Sequence, residues 1–327
     1  MVKKILSILL SAVLLASFSA CSGPQKDPNQ VVIYSCAEEF RNEHILKRLR
    51  EEFPDYNINL QYISTGKCAA KLKSEGKSTE ADIVIALEES HIVAIEDSLA
   101  DLSEYDTSDY LPELVPQSRK YLPWEQFSGA VVINPETLKK HNLPVPQSYD
   151  DLLKPEYKGY IFAPNPKLSS TGYIFLIQMI NERGEEAAYD YFDKLATNTI
   201  QFTSSGSGPV NALVQGEAAV GLGMIFQSVQ EINKGVPIEI LDLPGGTPYS
   251  ISGLAAIDGR LENPKVKDVF DFLADTLVYE DKEFSPEQIF KDQQINVENY
   301  PQNLDYANMK GLNDAKLKER LMEKWMY

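Results

Sequence analysis

The chain has 327 residues, 43% of them hydrophobic, and a formal net charge of −17. That length suits one large or two medium domains, and the apolar content is ample for packed cores, which excludes disorder as a description. The acidity excludes a nucleic-acid partner, because no basic stripe is available to neutralise phosphates.

The first twenty residues read as a signal peptide outside the fold. Lys3 and Lys4 form a basic start, and residues 5–16 form an apolar run too short for a comfortable membrane span. Phe18-Ser19-Ala20-Cys21 then resembles a bacterial lipobox, with Phe18 where leucine is usual. Cys21 is the expected lipidation site, and residues 21–30 a polar tether to the outer face of the membrane.

Val31-Val32-Ile33-Tyr34-Ser35 has the continuous apolar character of a buried parallel strand. A helix is predicted over 42–53, ended by Pro54, then a strand over 58–63. Ser64-Thr65-Gly66 follows and opens a helix running towards Glu75. Residues 81–86 form the third predicted strand, with Glu88 and Glu89 just past its end. This alternation indicates βαβ units and an α/β fold.

An acidic segment with Pro112 and Pro116 leads to Trp124 and a strand over 128–134, and a short helix is expected around 149–153. A second α/β set begins at Tyr160, where the strand 160–163 is followed by Ser169-Ser170-Thr171-Gly172 and a helix over 173–181. Thr203-Ser204-Ser205-Gly206-Ser207-Gly208-Pro209 then precedes another helix, with Pro209 suited to its first position. Strands follow over 219–224 and 249–257, and the remainder to Tyr327 reads as largely helical.

Three units of strand, Ser/Thr/Gly loop and helix recur in one chain. Each helix N-terminus presents unpaired N–H groups and the positive end of the helix dipole, which favours an anion. In open α/β sheets such loops gather at the carboxyl ends of strands, where ligands bind. Ser64, Thr65, Gly66, Ser170, Thr171, Gly172, Ser205, Gly206, Ser207 and Gly208 are therefore the candidate anion contacts, with Ser35 at the first strand end. Glu88 is a candidate for ligand hydroxyls or an amine, and Trp124, Phe226, Gln227 and Tyr249 for the organic part.

His44, His91 and His141 fall in separate elements, and neither a metal motif nor a nucleophile elbow is present, so neither enzyme activity, a metal nor a cofactor is expected. Cys36 and Cys68 lie just past the first two predicted strands, which leaves open a disulfide or two partly buried free thiols.

The order of landmarks resembles the ferric-iron-binding branch of extracellular solute-binding proteins, the receptors of ABC importers. Those landmarks are Val32-Ile33-Tyr34-Ser35, Ser64-Thr65-Gly66, Ala81-Asp82-Ile83, Leu152-Leu153-Lys154-Pro155, Ser170-Thr171-Gly172-Tyr173, Gly216-Glu217-Ala218-Ala219 and Pro244-Gly245-Gly246-Thr247. The resemblance covers residues 31–327 and implies two α/β lobes, each a mainly parallel sheet with flanking helices, joined by two crossing strands. Lobe 1 would be 31–128 plus 247–327, and lobe 2 would be 129–246.

The resemblance also implies a monomer that delivers a small ligand to permease subunits. Members of the branch bind ferric iron, thiamine, phosphonates or sugar phosphates. Iron binders carry paired tyrosines where this chain has Phe226 and Gln227, while the loop that holds their synergistic anion matches Ser170-Thr171-Gly172. The expected ligand is therefore an organic anion, a phosphate ester or phosphonate. A ferric receptor and the input protein of a sensor kinase are the alternatives.

Overall fold

The computed structural model describes residues 29–327. Cys21, the signal segment and all but the end of the tether lie outside the described residues.

The first half runs β1 (Gln30–Ser35), α1 (Glu39–Glu52), β2 (Asn57–Tyr62), α2 (Thr65–Glu75), β3 (Ile83–Glu88) and a short α3 (Glu89–Val93). β1 pairs β3 in parallel. Alternate residues of these strands enter different cores: Val31, Ile33, Ile83 and Ile85 pack on one side of the sheet, Val32, Tyr34 and Val84 on the other. Burial on both faces explains why the sequence shows apolar runs rather than alternation.

β4 (Leu122–Ile133) then spans both halves of the molecule. After α4 (Pro135–Lys140), the second half contains β5 (Ile161–Pro164), α5 (Ser170–Arg183), α6 (Glu185–Ala196), β6 (Thr199–Thr203) and α7 (Gly208–Val214). It continues with β7 (Val220–Met224), α8 (Ile225–Asn233) and β8 (Glu239–Leu241). β9 (Tyr249–Ala256), α9 (Pro264–Phe272) and α10 (Ala315–Lys324) complete the chain.

The hydrogen-bonded strand order is β2-β1-β3-β9-β4-β7-β5-β6, with β8 also on β4. Residues 122–128 of β4 run antiparallel to β9, and from Gly129 the same strand pairs β7 instead. Sheet membership changes between Ser128 and Gly129. A side chain at Gly129 would meet the Phe175 ring at 2.9 Å, so α5 packs directly on the changeover.

Three expectations are corrected. β4 begins at Leu122, six residues before its predicted start, so Trp124 is a strand residue. Much of 284–314 is irregular rather than helical. Its backbone is held by side chains instead, as where Gln293 Nε2 donates to the carbonyls of Pro286 and Glu287. Finally, the C-terminal stretch does not pack with lobe 1 throughout: Leu312, Leu321 and Trp325 join the core built around Tyr173, Phe192 and Leu222.

Candidate functional site

The three Ser/Thr/Gly loops meet at one cavity. Ser64, Thr65, Ser170, Thr171, Ser205, Gly206 and Ser207 all line it. Local hydrogen bonds shape each loop. The carbonyl of Asn165 accepts from the N–H groups of Leu168 and Ser169, and its side chain accepts from Lys167 N–H at 2.9 Å, which turns the chain into α5. In the third loop, Thr203 Oγ1 donates to the Ser205 carbonyl at 2.8 Å, and the hydroxyls of Ser205 and Ser207 share a hydrogen bond at 3.0 Å.

Close approach explains two of the glycines. A Cβ on Gly206 would lie 2.1 Å from Thr171 Oγ1, so the second and third loops touch through it. A Cβ on Gly66 would lie 2.2 Å from the Lys167 carbonyl oxygen, and Gly66 N–H donates to the Leu168 carbonyl at 3.1 Å. That bond joins the first half of the fold to the second, across the cleft.

Ser64 stands just before α2, yet its side chain makes no capping hydrogen bond. Its Oγ is buried and has no partner among the described residues. In α5 the N–H of Tyr173 reaches the Ser169 carbonyl, so the preceding N–H groups of Ser170, Thr171 and Gly172 are the ones helix geometry leaves without an intrahelical acceptor. Hydroxyls and helix-start N–H groups thus converge on one space.

The opposite wall is charged. Cys36, Glu38 and Glu125 line the cavity with Tyr62, Phe127 and Phe226. Behind them, Arg41 is buried; its Nε and Nη2 grip Asp281 at 2.9 and 2.7 Å. Its Nη1 lies 3.0 Å from Glu38 and 2.6 Å from Glu125. Lys282 Nζ sits 3.5 Å from Asp281 and donates to the Trp124 carbonyl. Burial pushes the Glu38 carboxyl up to about 7, and Glu125 adds to this against the pull of Arg41.

Some predicted residues lie elsewhere. Trp124 is fully buried in the first core with Leu122, because strand alternation turns both inward while Glu125 and Phe127 reach the cavity. Glu88 is buried against Lys318 of α10 at 2.7 Å and also accepts from Ser90 and Ser250. Burial alone would raise this carboxyl, but the adjacent ammonium holds it below the usual range. Ser35 is buried, its hydroxyl accepting from Ala37 N–H.

Tyr249 packs on Tyr306 and lines a separate groove with Gln126. Gly172 and Gly208 serve packing: side chains there would strike the Pro164 carbonyl and Thr203. Gln227 lines an outer vestibule that shares Glu38, Tyr62, Ser205 and Ser207 with the cavity. Cys36 and Cys68 are free thiols; the hydrogen bond that the Cys36 thiol donates to the Cys68 sulfur, with burial, raises Cys36 well above the ordinary thiol range.

Residues 38–276 match the model of the bacterial extracellular solute-binding proteins. The chain belongs to that family. Such proteins are the substrate-binding components of ABC importers, exported to work with membrane permeases, and they bind solutes without transforming them. An uncharacterised protein of Haemophilus influenzae is 26% identical over 275 residues, covering 80% of this chain and 78% of its own. Among solved structures, the periplasmic binding protein AfuA from Actinobacillus pleuropneumoniae, with exogenous fructose-6-phosphate bound, is similar at TM-score 0.79 and 23% identity. That match covers 90% of this chain and 97% of AfuA. Iron-bound HitA from Pseudomonas aeruginosa follows at TM-score 0.71 and 17% identity, covering 90% and 98%. The fold is the two-lobed one of type 2 periplasmic binding proteins.

Proposed function

We propose that this receptor captures a small phosphate ester or phosphonate, from a lipid anchor on Cys21, and presents it to a permease. The observation that carries the reading is the convergence of the three loops, with Ser64 Oγ buried and without a partner among the described residues. A dianion there would draw charge-assisted hydrogen bonds from hydroxyls and helix-start N–H groups, roughly twice as strong as neutral ones. AfuA, which shares the fold, holds fructose-6-phosphate.

On this reading the lobes hinge at the Ser128–Gly129 changeover in β4 and near Gly246, and the C-terminal helix bridges them, with Lys318 on Glu88 of the first half and Arg320 on Glu185 of the second. A ligand touching loops of both lobes stabilises the closed form by its greater affinity for it. Ferric iron fits the donor set poorly. Phe226 and Gln227 offer no phenolates, and the two cavity carboxylates, Glu38 and Glu125, already face the Arg41 guanidinium.

The test is a double substitution, Thr171→Ala with Ser205→Ala, read by calorimetric titration with sugar phosphates and phosphonates. Loss of two hydrogen bonds to a buried dianion should weaken binding by about 3 kcal/mol or more. Undiminished affinity would place the anion elsewhere.

A further inference from the structure

Two side chains that line the vestibule outside the anion cavity each keep a buried acceptor without a partner among the described residues. Asn42 is 6% exposed and Gln227 is 4% exposed, and both line the vestibule. Asn42 Nδ2 donates to the Ala37 carbonyl at 2.7 Å, which fixes its amide and leaves Oδ1 buried without a partner among the described residues. Gln227 Nε2 donates to Asn211 Oδ1 at 3.0 Å and to the Ser207 carbonyl, which leaves Oε1 in the same condition.

Glu38 stands between them and the anion seat, lining both spaces. Its one side-chain donor among the described residues is Arg41, whose guanidinium is shared with Glu125 and Asp281. With Lys282 counted, three carboxylates face two cations, so the cluster carries one negative charge beside the cavity once Glu38, raised to about 7, is ionised. A buried acceptor without a donor is costly, and two of them on residues that line one space call for something that supplies donors.

We infer that the vestibule is a specificity subsite for the organic part of the ligand, which must carry hydrogen-bond donors, hydroxyls or an ammonium, a short distance from its phosphoryl group. Glu38 and Asn42 come from the start of α1 in one lobe and Gln227 from α8 in the other, so the donors also bridge the lobes. The inner cavity has a volume of about 30 Å³ and the vestibule about 680 Å³, both partly open to solvent, so the bulkier part of a ligand belongs in the outer space. This inference rests on the anion reading of the inner cavity.

The experiment is a calorimetric series on the whole exported protein with inorganic phosphate, propyl phosphate, glycerol 3-phosphate and 3-aminopropyl phosphate. Either donor-bearing ester should bind at least about tenfold more tightly than propyl phosphate, and the tighter of the two separates hydroxyl from ammonium recognition. Glu38→Gln and, independently, Gln227→Met should each shrink that ratio towards one, with circular dichroism reporting the fold. Propyl phosphate binding as tightly as both would overturn the subsite while leaving the anion seat standing. Silence from all four compounds would instead overturn the anion reading, and the subsite with it.

Discussion

At the scale of single residues, Glu38 is the most consequential side chain the sequence did not single out. It follows a strand end, where ligand contacts gather, but so do many loop carboxylates. Its importance depends on Arg41, Glu125 and Asp281, and the Arg41–Asp281 pair spans 240 residues, which no local pattern encodes. Cys36, Tyr62, Arg41 and Glu125 are the other groups that face it. Its carboxyl is raised from 4.5 to about 7 by burial and Glu125. A carboxyl raised on folding holds its proton more tightly in the native state. The stability this gives is full below about 4.5 and gone above about 7, so it falls as pH rises through that window. Thermal unfolding of the native protein and Glu38→Gln between pH 5 and 8 should show a steeper decline for the native protein, by at most about 1.4 kcal/mol per pH unit. Parallel curves would contradict the assignment.

At the scale of elements, the three loop–helix units were legible because their grammar is local: a strand, small polar residues, then helical periodicity. Trp124 was misread for an equally local reason. Pro123 argues against a central strand, but β4 accommodates it through a register shift between Pro123 and Glu125. The glycines of the loops carry a sharper consequence. Gly66 lies within α2, where alanine favours the helix by about 1 kcal/mol, but a Cβ there would strike the Lys167 carbonyl across the cleft. Gly66→Ala should therefore keep or raise the melting temperature of the free protein while reducing the shift ligand produces. A full ligand-induced shift in the variant would show that closure does not need this contact. The C-terminal helix makes a second prediction. Lys318 is buried on Glu88 and Ser90, and Lys318→Met leaves Glu88 without its cation, which should cost about 3–5 kcal/mol of stability by denaturant titration.

At the scale of the whole molecule, one long strand is shared by two sheets, and the two halves touch through Gly66 and Leu168. The α/β alternation was readable in the sequence. The return of the C-terminal residues to the core around Tyr173 was not, since Leu321 and Trp325 look like any amphipathic helix end until their partners are known. Under the proposed function, an anion held through backbone N–H groups and hydroxyls needs no cationic surface, which is compatible with the −17 charge. The most direct test sets sugar phosphates and phosphonates against ferric iron, with and without phosphate, in one calorimetric and thermal-shift panel. A phosphorylated ligand should bind without metal and, at about a hundred times its dissociation constant, stabilise the protein by roughly 2.7 kcal/mol. Binding that appears only when ferric iron is present would contradict the account.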